Sequence, residues 1–288
     1  MSNPSAAYIH TSDQAQQAKL QLTNGYYVHF DQMTRLLHYV QQHPETRRFT
    51  QADLAAGTGL TKRQVDSLGS VTTRMGLLRP VTYRLTDMGT LVLKHDAFFD
   101  DIGTLWLCYY HLASDTQVIV WNHMTNCVLP SGRPVTAPEA RDAFQPLLVD
   151  FTARSANKKL LEELRAFFNT YTEQSFRRLH YLRQADDGTF ALTDSPALVP
   201  PGVFLTVLLL YRDRFHPGAS GVQVPDICTS DHSPGRLLHL GEARVRALLN
   251  QLHEAGRLTI EAKANLDQVR FRPGQTWLDA MQAYYEER

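Results

Sequence analysis

The sequence predicts a mainly α fold: an N-terminal winged helix-turn-helix, a central helical body and a C-terminal winged-helix-like domain. Three observations carry that expectation. Residues 49 to 93 hold two short helix signatures joined by glycines and followed by an alternating hairpin. Residues 102 to 129 hold two very apolar helical stretches, and residues 241 to 272 hold an amphipathic helix, a glycine stop and a second alternating hairpin. The expected segments are a loose tail over 1–22, the winged helix over 23–95, the body over 96–195 and the last domain over 196–288.

Phe30 to Gln42 reads as an amphipathic helix through Phe30, Met33, Leu37 and Val40, ending before His43-Pro44. Thr50 is placed to cap a short helix through Ala56, Gly57 and Gly59 to make a tight turn, and Thr61 to cap a second helix reaching about Met75. On that second helix Val65, Leu68, Val71 and Met75 share one stripe, and Arg63, Ser67, Ser70 and Arg74 are read as the opposite, solvent-facing one. Leu77 to Pro80 and Val81 to Thr86 then suit two small strands, and Asp87 to Lys94 returns to helix.

The body follows an acidic loop at Asp96 to Asp101. Ile102 to Ala113 and Val118 to Leu129 are apolar enough to be buried helices. A helix is expected near Ala137-Pro138-Glu139, another over Ser155 to Asn169, and a further helical stretch through Phe176, Leu179 and Leu182 before the Asp186-Asp187-Gly188 turn. In the last segment Gly202 to Phe215 is an apolar helix, with a short turn of helix over Pro225 to Thr229. A helix over Gly241 to Ala255 stops at Gly256, and two strands run over Arg257 to Ala262 and Gln268 to Arg272 across Lys263 to Asp267. The face of that helix opposite its apolar stripe is Ala243, Ala247, Asn250 and Glu254, which suits protein contact or dimerisation better than phosphate.

Charge separates the segments although the whole chain is neutral. Nine Lys and Arg stand against five Asp and Glu over residues 23–95, and nine against thirteen over 96–195. Neutrality argues against a protein that coats nucleic acid indiscriminately, while the local basic excess sits where the helix-turn-helix is expected. No apolar run approaches the roughly 20 residues a membrane helix needs, and Met1 to Leu22 is too polar for a secretory signal. Three scattered cysteines make no disulfide framework, so a cytoplasmic protein is expected.

Two clusters invite metal chemistry. Cys108 with His111, and His123 with Cys127, can each share a helical face, but a packed helical pair explains them more simply. Asp96, Asp100 and Asp101 invite magnesium, but carboxylates at a helix start are more simply caps. No metal or other cofactor is therefore expected. Neither a phosphate-binding glycine loop, a nucleophile elbow, H-E-x-x-H nor paired C-x-x-C is present, and Ser155, His180, Cys228 and His232 lack catalytic partners in the sequence. The expectation is that the chain is not an enzyme.

The order of segments resembles the bacterial family called domain of unknown function four thousand and seven. The matching residues are Gly59-Leu60-Thr61-Lys62 through Val65 to Gly76-Leu77-Leu78; Leu85-Thr86-Asp87-Met88-Gly89; Asp96, Asp101 and Thr104 to Leu107; Trp121; and Ser233-Pro234-Gly235 leading to Leu238, Leu240 and Glu242. The sequence departs from the family's usual His-Glu-Thr-Phe opening, where Gly25 to Phe30 stands instead. The resemblance implies a place in bacterial anti-phage islands, including neighbourhoods with DNA-phosphorothioation genes, and brings no established catalytic residues.

The expected function is a non-catalytic DNA-binding accessory or specificity subunit of a bacterial genome-defence system, with double-stranded DNA and other defence proteins as partners. Arg63, Ser67, Ser70 and Arg74 are the candidates for groove contact, Lys62 for phosphate at the helix start, and Arg79 and Arg84 for phosphate from the wing. The alternatives are an autonomous homodimeric transcriptional repressor and a scaffold that binds protein only.

Overall fold

Helix α1 spans Phe30–Gln42 in the computed structural model, which describes residues 19–149, 151–263 and 266–288. The expected tail at 1–22 thus lies mostly outside the described residues. α1 buries Met33, Leu36, Leu37 and Val40 and stops where Pro44 disfavours helical geometry at His43. Helix α2 (Gln51–Thr58) starts in a reciprocal capping box between Thr50 and Asp53 and ends at Gly59, which has φ 70°. Gly57 lies inside α2 rather than in the turn. A Cβ there would sit 2.0 Å from the Tyr39 ring of α1, so its missing side chain sets how closely the two helices meet.

Helix α3 (Lys62–Arg74) starts in a second box, Thr61 with Gln64. Its buried side is wider than the predicted stripe, taking in Ser67, Gly69 and Thr72 beside Val65, Leu68 and Val71. The two strands expected next reduce to a single bridge, Leu78 with Leu85. Pro80 offers no N–H, and Val81 and Tyr83 adopt φ of 66° and 52°, which takes the chain out of extended geometry. Thr86 then caps helix α4 (Asp87–His95).

Helix α5 (Ile102–Ala113) is buried along its whole length from Gly103. The helix expected over Val118 to Leu129 is broken into α6 (Ile119–His123), a π-turn over Met124–Val128 and a 3-10 turn over Leu129–Ser131. Pro130 cannot donate to a carbonyl one turn back, and the Asn122 and Asn126 amides both donate to the Ala113 carbonyl, so the backbone widens locally. Helix α7 (Ala137–Asp142) follows, then a π-turn over Ser155–Lys159 leading into α8 (Leu160–Thr172). Trp121, Phe167, Tyr171, Tyr109 and Tyr181 form an edge-to-face and tilted aromatic cluster at the centre.

The helix expected through Phe176 to Leu182 is corrected. Only Arg177–Leu179 forms a 3-10 turn; His180 takes φ 47°, and β1 (Leu182–Gln184) pairs antiparallel with β2 (Phe190–Leu192). The Asp187–Gly188 turn closes this hairpin, with Gly188 at φ 80° and the Asp187 carboxylate accepting from Thr189.

Residues 18–198 form one compact unit, so the segments read separately as 23–95 and 96–195 are parts of a single body. Residues 199–288 belong to the other unit. There α9 (Pro201–Phe215) is followed by β3 (Gly221–Gln223), α10 (Val224–Thr229), α11 (Pro234–Leu237) and α12 (Glu242–Glu254), which buries Val245, Leu248, Leu249 and Leu252. β4 (Leu258–Lys263) and β5 (Leu266–Phe271) pair in register from Leu258 with Phe271 to Lys263 with Leu266. The predicted hairpin is therefore longer than expected; residues 264 and 265 of its loop lie outside the described residues. Two elements go beyond the sequence expectation: β3, whose Gly221 reads in the sequence as loop, joins β5 on its other edge, and α13 (Trp277–Glu286) packs on α9. The protein is mainly helical.

Candidate nucleic-acid interface

The capping box at Thr61 leaves Lys62 and Arg63 in the first turn of α3, both exposed, where the open N–H groups and the helix dipole favour anions. Neither makes an ion pair among the described residues. Ser70, one turn below Asp66, is half-buried. Arg79 and Arg84 are exposed at the two ends of a tight turn, in which the Arg79 amide donates to the Arg84 carbonyl at 2.7 Å. The turn leans back on the helices: the Phe49 amide donates to the Thr82 carbonyl, and the Tyr83 ring covers Gly69, where a Cβ would be only 2.8 Å away.

Two predicted contact residues do not face solvent. Ser67 is 3% exposed, and its hydroxyl donates to the Thr23 carbonyl at 2.6 Å. Arg74 pairs with Asp115 at 2.8 Å, with side-chain exposures of 10% and 16%. Thr23 and Asn24 contact this flank of α3, at Ser67 and Asp66. The assumption that every polar position opposite the apolar stripe faces water fails because the helix is packed on two sides.

The exposed ridge instead runs from Lys62 and Arg63 through Asp66 toward Ser70. Asp66 accepts from the Gln51 amide at 2.7 Å and the Asn24 amide at 2.8 Å, which fixes a carboxylate in the middle of the basic face. Periodicity places Asp66 beside Arg63, so this residue was legible; its clamp was not.

Beside the ridge lies a cleft of about 640 Å³ between the Gly25–Tyr27 turn, α3 and α8. Arg63 and Arg165 line it together with Asp66, Glu162, Tyr26 and Tyr27. The tyrosines are 36% and 45% exposed, on a turn whose Asn24 and Gly25 have φ of 51° and 79°. Below the turn, the fully buried Glu163 accepts from the Thr23 amide (3.0 Å), the Thr23 hydroxyl (2.8 Å) and the Trp121 indole N–H (2.9 Å). Burial pushes the Glu163 carboxyl above its ordinary range, and those donors oppose the shift. Arg165 is a hundred residues from Arg63, and no sequence spacing relates them.

Two of the carboxylates considered for metal hold the start of α5. Asp101 caps α5 through the Thr104 amide, and Asp96 accepts from the amides of Asp100 and Asp101. Cys108 is buried, its thiol pushed up by desolvation, while Cys127 is exposed and His123 meets the Ala143 carbonyl. Among the described residues no group of three His, Cys, Asp or Glu side chains is arranged to hold a metal ion. None of the helices there is long and apolar enough to cross a membrane.

In residues 199–288, Arg246 of α12 is held by Glu242 at 2.8 Å and Asp267 at 2.7 Å, so its charge is matched within the unit. Ala243, Asn250 and Glu254 are exposed and Ala247 is half-buried.

No curated protein matches the sequence. Two solved structures share the fold. An SspB crystal structure is 16% identical with a TM-score of 0.78, and a magnesium ion-bound SspB crystal structure is 15% identical with a TM-score of 0.77. Each alignment covers 94% of this chain and 89% of the other. At such identity the likeness is one of fold. The DUF4007 family model, described as a protein of unknown function, matches residues 26–285, and the chain belongs to that family.

Proposed function

We propose that the protein binds duplex DNA through α3 and the Arg79–Arg84 turn, as an accessory or specificity subunit of a bacterial genome-defence system. In this reading α1 to α3 are the three helices of a winged helix, the bridge at Leu78 and Leu85 is the base of its wing, and α10 to α12 with β3 to β5 form a second, partner-facing one. The observation that carries it is the placement of Lys62, Arg63, Arg79 and Arg84, all exposed, on an α3 start and a turn that packs on the same helix through Tyr83 and Gly69. Four such cations suit phosphate contacts flanking a groove, while Ser70 is the remaining neutral candidate on the ridge. The defence setting rests on the family resemblance.

Electrophoretic mobility shift of a duplex at several salt concentrations tests the DNA part. The expected result is a salt-sensitive shift that Lys62→Ala/Arg63→Ala weakens. An unshifted duplex at low salt overturns it. Asp66 within the ridge, and the withdrawal of Arg74 and Ser67 from it, favour a second reading: a scaffold whose helices bind protein only. Co-purification of the native complex with partners but without DNA would select that reading.

A further inference from the structure

We propose that the cleft between the Gly25–Tyr27 turn, α3 and α8 receives a nucleobase turned out of a DNA strand. This rests on the duplex-binding reading and gives it a second, separate site.

The first argument is charge. Arg63 and Arg165 are balanced in the cleft by Asp66 and Glu162, so a phosphate entering it would meet two carboxylates. A neutral planar ligand carries no such penalty. A base also offers donors and acceptors along one edge, and the cleft supplies both: guanidinium and amide N–H groups from Arg63, Arg165, Gln21 and Asn24, and oxygens from Asp66 and Glu162. Those carboxylates are already positioned, Asp66 by Gln51 and Asn24 and Glu162 by Gln21 at 3.1 Å. Their remaining lone pairs are held in fixed directions.

The second argument is aromatic surface. Tyr26 and Tyr27 are adjacent and partly exposed, where tyrosines in this unit such as Tyr109, Tyr171 and Tyr181 are fully buried. Stacking a base on such a ring is favourable and tolerant of sequence. Their turn does not depend on a ligand for its shape, because Thr23 directly beneath it is anchored to buried Glu163. The third argument is place and size. Arg63 belongs both to the exposed ridge and to the cleft, so a strand lying on α3 passes the opening. A volume of about 640 Å³ lies within the roughly 300–1,000 Å³ of ordinary small-molecule sites.

The test titrates the full chain with two duplexes of one sequence, one fully paired and one carrying a single bulged 2-aminopurine, which needs no unpairing before it is turned out. The expected result is tighter binding of the bulged duplex, by about tenfold, with a change in 2-aminopurine fluorescence. Tyr26→Ala/Tyr27→Ala removes that preference while leaving the affinity for the paired duplex unchanged, and Tyr26→Phe/Tyr27→Phe retains it. Equal affinity of the wild type for both duplexes, or a preference that survives the alanine pair, overturns the base site and leaves duplex binding standing. Binding of the bulged strand without the paired duplex supports the cleft and overturns the groove reading. Binding of neither overturns both.

Discussion

Nη1 of Arg74 and Oδ2 of Asp115 meet at 2.8 Å, joining the last turn of α3 to the segment just beyond α5. The pair is nearly shielded from water, with side-chain exposures of 10% and 16%. Removing Asp115 takes away a charge-assisted hydrogen bond made in a poorly hydrated place, so Asp115→Ala should lower stability by about 2 kcal/mol. Chemical denaturation of wild type and variant measures this. Arg74→Ala should leave duplex affinity unaltered at temperatures where the variant remains folded; a selective loss of DNA binding would put Arg74 back among the contact residues.

The four outward cations give a salt prediction. Each phosphate contact contributes about 0.9 to the slope of log affinity against log salt, so an Ala replacement at Lys62, Arg63, Arg79 or Arg84 should reduce that slope by up to about one unit. The reduction should accumulate across the set. Titrations at four or more salt concentrations read it directly, and a slope identical in the quadruple variant would remove these residues from the interface.

Glu163 provides a pH signature. Burial raises its folded pKa above the ordinary glutamate value of 4.5, so the folded protein binds this proton more tightly than the unfolded chain does. Its contribution to stability is therefore present in full below 4.5 and is lost as pH rises through the raised folded value. Glu163→Gln keeps one acceptor oxygen and removes the titration, so this part of the pH dependence should vanish in urea midpoints measured across that window. Glu163→Ala should cost about 3 kcal/mol below 4.5, since the Trp121 and Thr23 donors lose their buried partner, and less as pH rises through the raised folded value.

Gly89 tests the packing of α4 against Leu77. A Cβ there would fall 2.1 Å from the Leu77 carbonyl oxygen, a backbone atom that cannot rotate away. Gly89→Ala should destabilise the protein by about 2 kcal/mol or more, whereas Gly132→Ala, at a position with open space but positive φ, should cost about 1 kcal/mol. Thermal melts of the two variants give the comparison, and equal effects would contradict the close approach of α4 to Leu77.

Much of the local structure was readable because local chemistry determines it. Thr50 and Thr61 begin α2 and α3 through side chains three residues away, and the apolar residues of α5 leave no polar face to expose. The hairpin at Leu182 and Phe190 was not readable, since nearby aromatic residues also suit a helix and only the His180 turn redirects the chain. The site was half legible. Lys62, Arg63, Arg79 and Arg84 lie where a helix start and a tight turn must be exposed. Ser67 and Arg74 were misplaced because their burial depends on Thr23 and Asp115, some forty residues distant, and no helical period records a neighbour arriving from elsewhere. Arg165 reaches the cleft only through the packing of α8.

Thr23 is bound on three sides: its amide and hydroxyl hold Glu163 of α8, and its carbonyl holds Ser67 of α3. One short residue thereby fastens two helices that are almost a hundred positions apart along the chain. A displacement of either helix therefore has to be accommodated at Thr23. A ligand held in the proposed cleft would bear on the same Thr23–Glu163–Trp121 linkage, and amide exchange around Trp121 is expected to slow when it binds.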